Sequence, residues 1–292
     1  MLSKMLKLKE HINSEREKVF IKIEKPSLIT ESLKLLSRHQ QTLIDERVRL
    51  TNRLRKKLLE VCPQILELSK LKNKKIIAIL AKYPDFSKYK RITLCSLLKI
   101  KGIGKKGVPF LLKRLNNIEC VPGLTDIYKT IISSYAQRIL ELREEIEDID
   151  KKLDEIGNQS KEVNHLKTIP GVATKLASRF IGEIGDINRF PSEKQLAIYC
   201  GIACIDNNSG KVTKARVVYK ANKICKQTLI NMAGCSIRFS PQCKTYYLKK
   251  RTEGKKHNHA LRCLARQLIK VIYRMLTEDR EYIVRKELRK AA

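Results

Sequence analysis

A serine on a short polar segment is the first candidate for chemistry in this chain. The segment DNNSGK, residues 206–211, interrupts two apolar or β-branched runs, YCGIACI and VTKARVVY. Asn, Asp and Gly favour turns, so the pattern predicts a tight turn between two short strands, with Ser209 on the turn. A serine hydroxyl can attack phosphorus when its proton is removed and cations meet the developing charge. Lys211, Arg216 and Lys220 could supply those cations, and the residues alone leave Ser209 open as a nucleophile or a turn residue.

Two further segments resemble helix-hairpin-helix turns, KGIGKK at 101–106 and IPGVATK at 169–175. Glycine lets such a turn approach a phosphate closely, and the next helix offers free backbone N–H groups at its positive end. Turns of this kind hold a nucleic-acid backbone without reading its sequence. A plain helical hairpin would give the same pattern. The candidates for DNA contact in these turns are Gly102, Gly104, Lys105, Pro170, Gly171 and Lys175.

The helix predicted for HNHALRCLARQLIKVIYRMLTED carries cations spaced by four residues beside an apolar face. In a strongly basic chain we predict that Arg262, Arg266 and Lys270 contact a nucleic-acid backbone, although such a stripe is often only solvated. The letters HNH at 257–259 would suit a nuclease, but a three-residue match is weak. Asn258 would serve equally well as a helix cap.

Acidic residues and cysteines give no metal site by their spacing. The acids of the second half form no pair typical of two-metal phosphoryl transfer. The nine cysteines lack the C-x₂-C pairs of structural zinc sites. Without an export signal they are expected to be reduced thiols. We therefore predict no cofactor within this chain and no metal-dependent nuclease built on it alone.

The charge of the chain points to a polyanionic partner. Among 292 residues, 62 are Lys or Arg and 30 are Asp or Glu, which gives a net charge of +32. So large a charge repels itself unless a polyanion neutralises it, and nucleic acid does so with release of counterions. An anionic membrane surface is the competing partner, but no apolar run is long enough for a membrane span. We expect DNA as the partner and a cytoplasmic, nucleoid-associated location.

The elements that must position these residues are mostly helical. A heptad seam with alternating steps of four and three predicts a coiled-coil helix, and it runs through Tyr128, Ile132, Tyr135, Ile139, Leu142, Ile146, Ile149, Leu153 and Ile156. Its antiparallel partner is the long helix near 30–60, either in the same chain or across a homodimer or tetramer. The predicted order is an N-terminal remnant (1–26), a first coiled-coil helix (27–62), a helical insert (63–122), a second coiled-coil helix (123–160), a small α-rich domain with helix-hairpin-helix features and a short β-hairpin (161–280), and a basic tail (281–292).

The order of elements resembles a known family. The stretch TIPGVATKLASRFIGEIGDINRFPSEKQLAIYCGIACIDNNSGK is similar to the opening of the C-terminal domain of the IS110 family of insertion-sequence transposases, also named by its IS116 and IS902 members. The later stretch SPQCKTYYLKKRTEGKKHNHALRCLARQLIKVIYRML resembles the closing segment of that domain. The similarity covers about residues 30–280, and its specificity comes from the order of the elements.

The resemblance implies a DNA transposase or recombinase guided by a structured RNA. In such enzymes an RNase-H-like domain with four acidic residues binds Mg²⁺, and a serine in the Ser-Gly turn becomes covalently linked to DNA. That serine corresponds to Ser209 here. Residues 1–26 are too short for the acidic domain, so the resemblance predicts an N-terminally truncated transposase. The alternative is a non-catalytic DNA- or RNA-binding dimer that regulates a full-length relative. A purely structural coiled coil would not explain the charge or the glycine turns.

Overall fold

The computed structural model describes residues 27–68, 71, 73–100, 108–116, 126–203, 205–209, 212–216 and 221–283. For residues 205–209 and 212–216, which include Ser209 and Arg216, it describes the backbone alone. Several predicted features lie outside the described residues: the segment 1–26, the turn with Gly102, Gly104 and Lys105, the cations Lys211 and Lys220, and residues 284–292.

The described part of the chain is mostly helical. Its helices are α1 (Leu28–Val61), α2 (Gln64–Leu68), α3 (Lys74–Lys82), α4 (Leu94–Leu98), α5 (Val108–Asn116), α6 (Asp126–Gln159), α7 (Lys161–Lys167), α8 (Thr174–Ile184), α9 (Glu193–Tyr199), α10 (Lys223–Phe239), α11 (Pro241–Thr252) and α12 (His257–Thr277). Short 3₁₀ turns occupy Phe86–Arg91 and Ile187–Arg189, and an antiparallel pair is formed by β1 (Ile205–Ser209) and β2 (Val212–Arg216).

The chain divides into two compact units. We call residues 36–155 the helical unit, and residues 1–35 with 156–292 the hairpin unit. The two long helices each pass from one unit into the other, since α1 begins before residue 36 and α6 ends after residue 155. Among the described helices, none combines the length and the apolar character that crossing a bilayer requires.

In the helical unit, α1 and α6 lie antiparallel to each other. The amide of Gln40 donates to the carboxylate of Asp150. Further along the pair, Arg138 Nε lies 3.5 Å from Glu46 Oε1. As the residue number increases along α1, the number of the facing residue on α6 decreases, which is the antiparallel arrangement. The predicted seam of α6 therefore packs against α1 of the same chain. Leu142 of that seam is fully buried.

The core of the helical unit is formed where the short helices of the insert cover the α1–α6 pair. Helix α3 is predominantly apolar and buries most of its length. The hydroxyl of Ser133 on α6 donates to the carbonyl of Ala81 at 2.9 Å, which ties this helix to α6. The buried cluster includes Leu54, Leu58, Ile76, Ile77, Leu80, Tyr89, Leu97, Ile132 and Ile139.

The hairpin unit is built around α8, α10 and α12. The apolar face predicted for the last helix is buried, at Leu261, Leu264, Ala265, Leu268, Ile272, Met275 and Leu276. Helix α8 also lies close to the start of α1, because a Cβ on Gly182 would come within 2.7 Å of the Lys34 backbone nitrogen. Glycine at this position therefore permits backbone-to-backbone contact between the two helices.

Local signals define most helix ends in the hairpin unit. The Ser192 hydroxyl accepts the N–H of Gln195 at 3.4 Å and so caps α9; a serine three residues before a glutamine is a local sequence pattern for such a cap. Gly185 and Gly201, both with positive φ, end α8 and α9, as glycine commonly does at the C-terminus of a helix. The suggestion that Asn258 caps the last helix is wrong. Helix α12 begins at His257 with Lys256 in the cap position, so Asn258 lies inside its first turn.

Candidate nucleic-acid interface

The segment that carries Ser209 is a β-hairpin closed by two residues. Ser209 pairs with Val212 and Ile205 with Arg216, so residues 210 and 211 make the connection. The predicted turn over 206–211 is therefore too long. Asp206, Asn207 and Asn208 have partners across the ladder and belong to β1. Their turn preference is overridden because the two-residue connection lets the backbone pairing continue to Ser209. Ser209 is the last residue of its strand.

The two chain segments that flank this hairpin are hydrogen-bonded to each other. The N–H of Asn222, just after the return strand, donates to the carbonyl of Tyr199, just before the outgoing strand, at 2.8 Å. Ala221 is so close to Gly201 that a Cβ on the glycine would be 2.8 Å from the Cβ of Ala221. The hairpin is thus part of the connection between α9 and α10, and the two ends of that connection lie close together.

A polar cluster lies at this junction, in which Glu183 is buried and Tyr199 and Asn222 are half-buried, and we call these three residues the base cluster. Asn222 Nδ2 donates to Glu183 Oε2 at 2.7 Å and to Tyr199 Oη at 3.1 Å. The Tyr199 hydroxyl in turn donates to the backbone carbonyl of Glu183 at 2.9 Å. Nearby, a hydrogen bond with Cys200 and burial raise the pKa of the Cys225 thiol, so that thiol stays protonated.

The base cluster was not predicted from the sequence. Glu183 and Asn222 are 39 positions apart, and no spacing rule connects them. One local signal was present, since Glu183 interrupts the apolar run FIGEIG in a helix that buries most of its residues. An acid at such a position indicates a specific buried partner.

The glycine turn at 169–175 links α7 to α8, and its glycine is used for packing. Gly171 has φ of +86°, and a Cβ there would lie 2.8 Å from the backbone carbon of Cys235 on α10. Pro170 is half-buried, whereas Lys175 is exposed in the first turn of α8. Ala173 occupies the cap position of α8 and makes no side-chain cap bond. The glycine faces α10, so any phosphate contact at this turn falls to Lys175 and the start of α8.

Replacing Gly171 with alanine is expected to destabilise the protein by about 3 kcal/mol. A left-handed φ costs an alanine roughly 1–2 kcal/mol, and forcing its Cβ into the α10 backbone adds about 1–3 kcal/mol. Urea denaturation of the two proteins measures the difference. Gly254→Ala is the matched control, because Gly254 has φ of +81° in open space and should lose about 1 kcal/mol. Equal losses in both variants would refute the packing role of Gly171.

The predicted basic stripe on α12 divides into exposed and engaged side chains. Arg262 and Arg274 are exposed. Lys270 Nζ lies 3.8 Å from the Glu193 carboxylate on α9. Arg266 is half-buried, and its Nη1 is buried without a hydrogen-bond partner in the described structure. The regular spacing therefore supplies three exposed cations, of which Lys270 is also near Glu193, while Arg266 faces the protein.

A second basic surface, on α11 and the loop after it, was not singled out from the sequence. No residue of α11 is buried, and its last turn carries Lys249, Lys250 and Arg251. Lys250 Nζ lies 2.8 Å from Glu253, and this contact holds the pKa of the Glu253 carboxyl below its ordinary value. The run KTYYLKKRTEGKK was the available signal, because cations outnumber acids in it.

No metal site is found in the part of the chain that the structure describes. It contains no group of three or more His, Cys, Asp or Glu side chains that could hold an ion. His257 instead lies with its Nδ1 2.7 Å from the hydroxyl of Tyr247. The donor set that would suit Mg²⁺ is therefore not among the described side chains.

Comparison with known proteins finds a transposase family that is similar to part of this chain. Residues 163–248, which include the base cluster and the hairpin, match the sequence model described as the transposase IS116/IS110/IS902 family. Over this segment the chain is similar to the IS116/IS110/IS902 transposase family. The family segment thus contains Ser209 and the glycine turn at 169–175, while Arg262, Arg266 and Lys270 follow it.

Proteins of three insertion elements align with much of the chain. A 44.8 kDa protein of insertion element IS116 from Streptomyces clavuligerus is 26% identical over 271 residues, covering 89% of this chain and 67% of the relative. A 42 kDa protein of IS900 from Mycobacterium paratuberculosis is 29% identical over 164 residues, or 56% of this chain and 41% of the relative. A 43.6 kDa protein of IS110 from Streptomyces coelicolor is 25% identical, covering 87% and 65%. The chain therefore spans about two-fifths to two-thirds of the length of these relatives.

Proposed function

We propose that this protein is an insertion-sequence transposase that cleaves and exchanges DNA strands with Ser209 as its nucleophile. The observation that carries the proposal is the location of Ser209 at the tip-proximal end of β1, inside the segment that matches the transposase family. A serine at the end of a short hairpin can reach an extended substrate such as a DNA backbone. The anchored junction at Asn222 gives this hairpin a defined origin.

The proposed reaction is an exchange of phosphodiester bonds. The Ser209 oxygen forms a bond to phosphorus, the bond from phosphorus to the leaving deoxyribose oxygen breaks, and the serine proton passes to solvent or to that oxygen. The broken phosphodiester bond is replaced by a serine–phosphate ester of similar energy. A second DNA hydroxyl can therefore displace the serine and reseal the strand. Lys211, Arg216 and Lys220 are proposed to neutralise the phosphate. No step is assigned to Mg²⁺, because the described residues offer it no donor set.

The partners proposed for the chain are DNA and a structured guide RNA. Both present phosphates, and the net charge of +32 favours either of them. The predicted contacts are the exposed Arg262 on α12 and Lys175 at the start of α8, together with Lys270 and Arg266. The seam of α6 is already covered by α1 of the same chain, so a homo-oligomer would use another surface than that seam.

A second candidate function is nucleic-acid binding without catalysis, as in a regulator of a longer relative. It is favoured by the net charge of +32, which supports binding to nucleic acid whether or not a reaction follows. Both candidates predict tight binding to DNA, but only the transposase predicts a covalent product.

The deciding experiment is a denaturing gel for protein–DNA adducts. The protein is incubated with duplexes that carry the ends of its insertion element, with and without Mg²⁺ and with and without RNA transcribed from the element. A band that resists denaturation and disappears on protease treatment would establish covalent attachment. Tight binding without such a band under all conditions would reject the transposase and favour the regulator.

A further inference from the structure

The base cluster lies where the two chain segments that flank the hairpin meet. Three elements meet there: the end of α8 with Glu183, the end of α9 with Tyr199, and the cap of α10 with Asn222. Since the chain leads into the hairpin after Tyr199 and returns from it before Asn222, the separation of these two attachment points depends on how firmly the three elements are held together.

Asn222 uses both ends of its side-chain amide. Its Oδ1 accepts the N–H groups of Ile224 and Cys225, each at 3.0 Å, and so caps α10. Its Nδ2 donates to the Glu183 carboxylate and to the Tyr199 hydroxyl. An aspartate could supply the cap equally well, but it could not donate. The cap and the cluster are therefore separable by a single substitution.

Glu183 lies at a position where a carboxylate is unfavourable by itself. It is 2% exposed, and it lies in the last turn of α8, at the negative end of the helix dipole. An apolar side chain would fill a purely structural core position at lower cost. The carboxylate offers something an apolar residue lacks, which is a fixed acceptor for the Asn222 amide.

Tyr199 closes the cluster from the side of α9. Its ring lies 5.2 Å from the ring of Phe190, and the guanidinium of Arg189 lies 4.7 Å from the Tyr199 ring centroid. The ring is thereby held between neighbours while its hydroxyl bonds to the Glu183 carbonyl. Few alternative rotamers are available to a tyrosine with these contacts.

We propose that Glu183, Tyr199 and Asn222 are positioning residues that fix the base of the hairpin and so set the rate at which Ser209 attacks DNA. The kinetic part of this inference rests on the proposed function of Ser209. The structural part, that the cluster determines the order of the hairpin, stands independently of it.

The first variant is Asn222→Asp, which keeps the cap of α10 and removes the donor to Glu183. We expect faster hydrogen exchange in peptides covering residues 203–220, unchanged exchange within α10, and adduct formation slowed by roughly 10-fold to 100-fold, as misplacement of a reacting group commonly gives. DNA affinity should stay unchanged. The defect should shrink as pH falls, because the carboxylate introduced at position 222 and the facing carboxylate of Glu183 can then share a proton that restores one hydrogen bond.

The second variant exchanges donor and acceptor, as Glu183→Gln combined with Asn222→Asp. The introduced glutamine amide can donate to the introduced aspartate, so the pair is restored in the opposite sense. We expect hydrogen exchange in the hairpin peptides and the rate of adduct formation to return most of the way to their wild-type values. The pH dependence of the defect should disappear. Asn231→Asp is the matched control, because it makes the same chemical change at an exposed position of α10.

Each outcome decides the inference. A folded Asn222→Asp protein with wild-type hairpin exchange and wild-type adduct rate would overturn it, as would a double variant no better than the single one. If the wild type forms no adduct, the role of Ser209 fails, while hairpin exchange still tests the cluster. If Asn222→Asp does not fold, Tyr199→Phe takes its place in the test, because it removes only the hydroxyl. It is assessed by hydrogen exchange of the hairpin peptides and by the rate of adduct formation.

Discussion

Replacing Ser209 with alanine is expected to abolish covalent attachment of the protein to DNA. Alanine removes the attacking oxygen and changes little else at the end of β1, where backbone pairing with Val212 does not depend on the side chain. Loss of a catalytic nucleophile lowers rates by at least about 10³-fold. Adduct formation on a denaturing gel, followed over time with labelled element-end DNA, measures the effect.

Controls for this prediction separate chemistry from folding and binding. Ser134→Ala replaces an exposed serine of α6 in the helical unit and should leave the adduct rate unchanged. Affinity of the Ser209→Ala protein for the same DNA should equal that of the wild type, because the hydroxyl is not a charged contact. An undiminished adduct in the alanine variant would assign the nucleophile to another residue and remove Ser209 from the mechanism.

Binding to duplex DNA is expected to weaken by about 10³-fold between 50 and 200 mM salt, if about six phosphates are neutralised. The physical reason is the release of counterions from DNA by a protein with a net charge of +32. Fluorescence anisotropy of a labelled duplex across a salt series gives the slope of log affinity against log salt. Affinity that barely changes over this range would refute the electrostatic argument.

Single substitutions locate the contacts that produce this slope. Arg262→Gln removes an exposed cation of α12 and should lower the slope by about one for one lost phosphate contact. Lys151→Gln is the control, since Lys151 Nζ already lies 2.8 Å from Asp148 in an acidic part of α6. A similar change in both variants would mean that net charge, rather than a contact at Arg262, governs binding.

Local features of the fold were predictable from the sequence. The heptad seam of α6, the cap at Ser192 and the stop at Gly185 depend on residues a few positions apart, so they can be read before the tertiary structure is known. The apolar face of α12 was predictable for the same reason. Asn258 shows the limit of local reasoning, because the preceding Lys256 takes the cap position and extends the helix.

The surroundings of the candidate site residues were harder to predict from the sequence than the helix ends, because they depend on tertiary packing. Gly171 has the turn chemistry of a phosphate-binding loop, yet α10 lies against it. Arg262 and Arg266 follow the same spacing, yet one is exposed and the other is half-buried. These differences arise from which neighbours each side chain meets, and spacing along the helix carries no information about neighbours on other helices.

The sequence by itself determined the helical composition, the similarity to the transposase family and the basic character from which we predict a nucleic-acid partner. Tertiary structure decided that the α6 seam is covered by α1 of the same chain, through contacts such as Gln40 with Asp150. It also decided that Glu183 meets Asn222 at the base of the hairpin. Both pairs join residues far apart in the chain, and their proximity follows from the burial of apolar faces on several helices at once, which no local pattern of residues encodes.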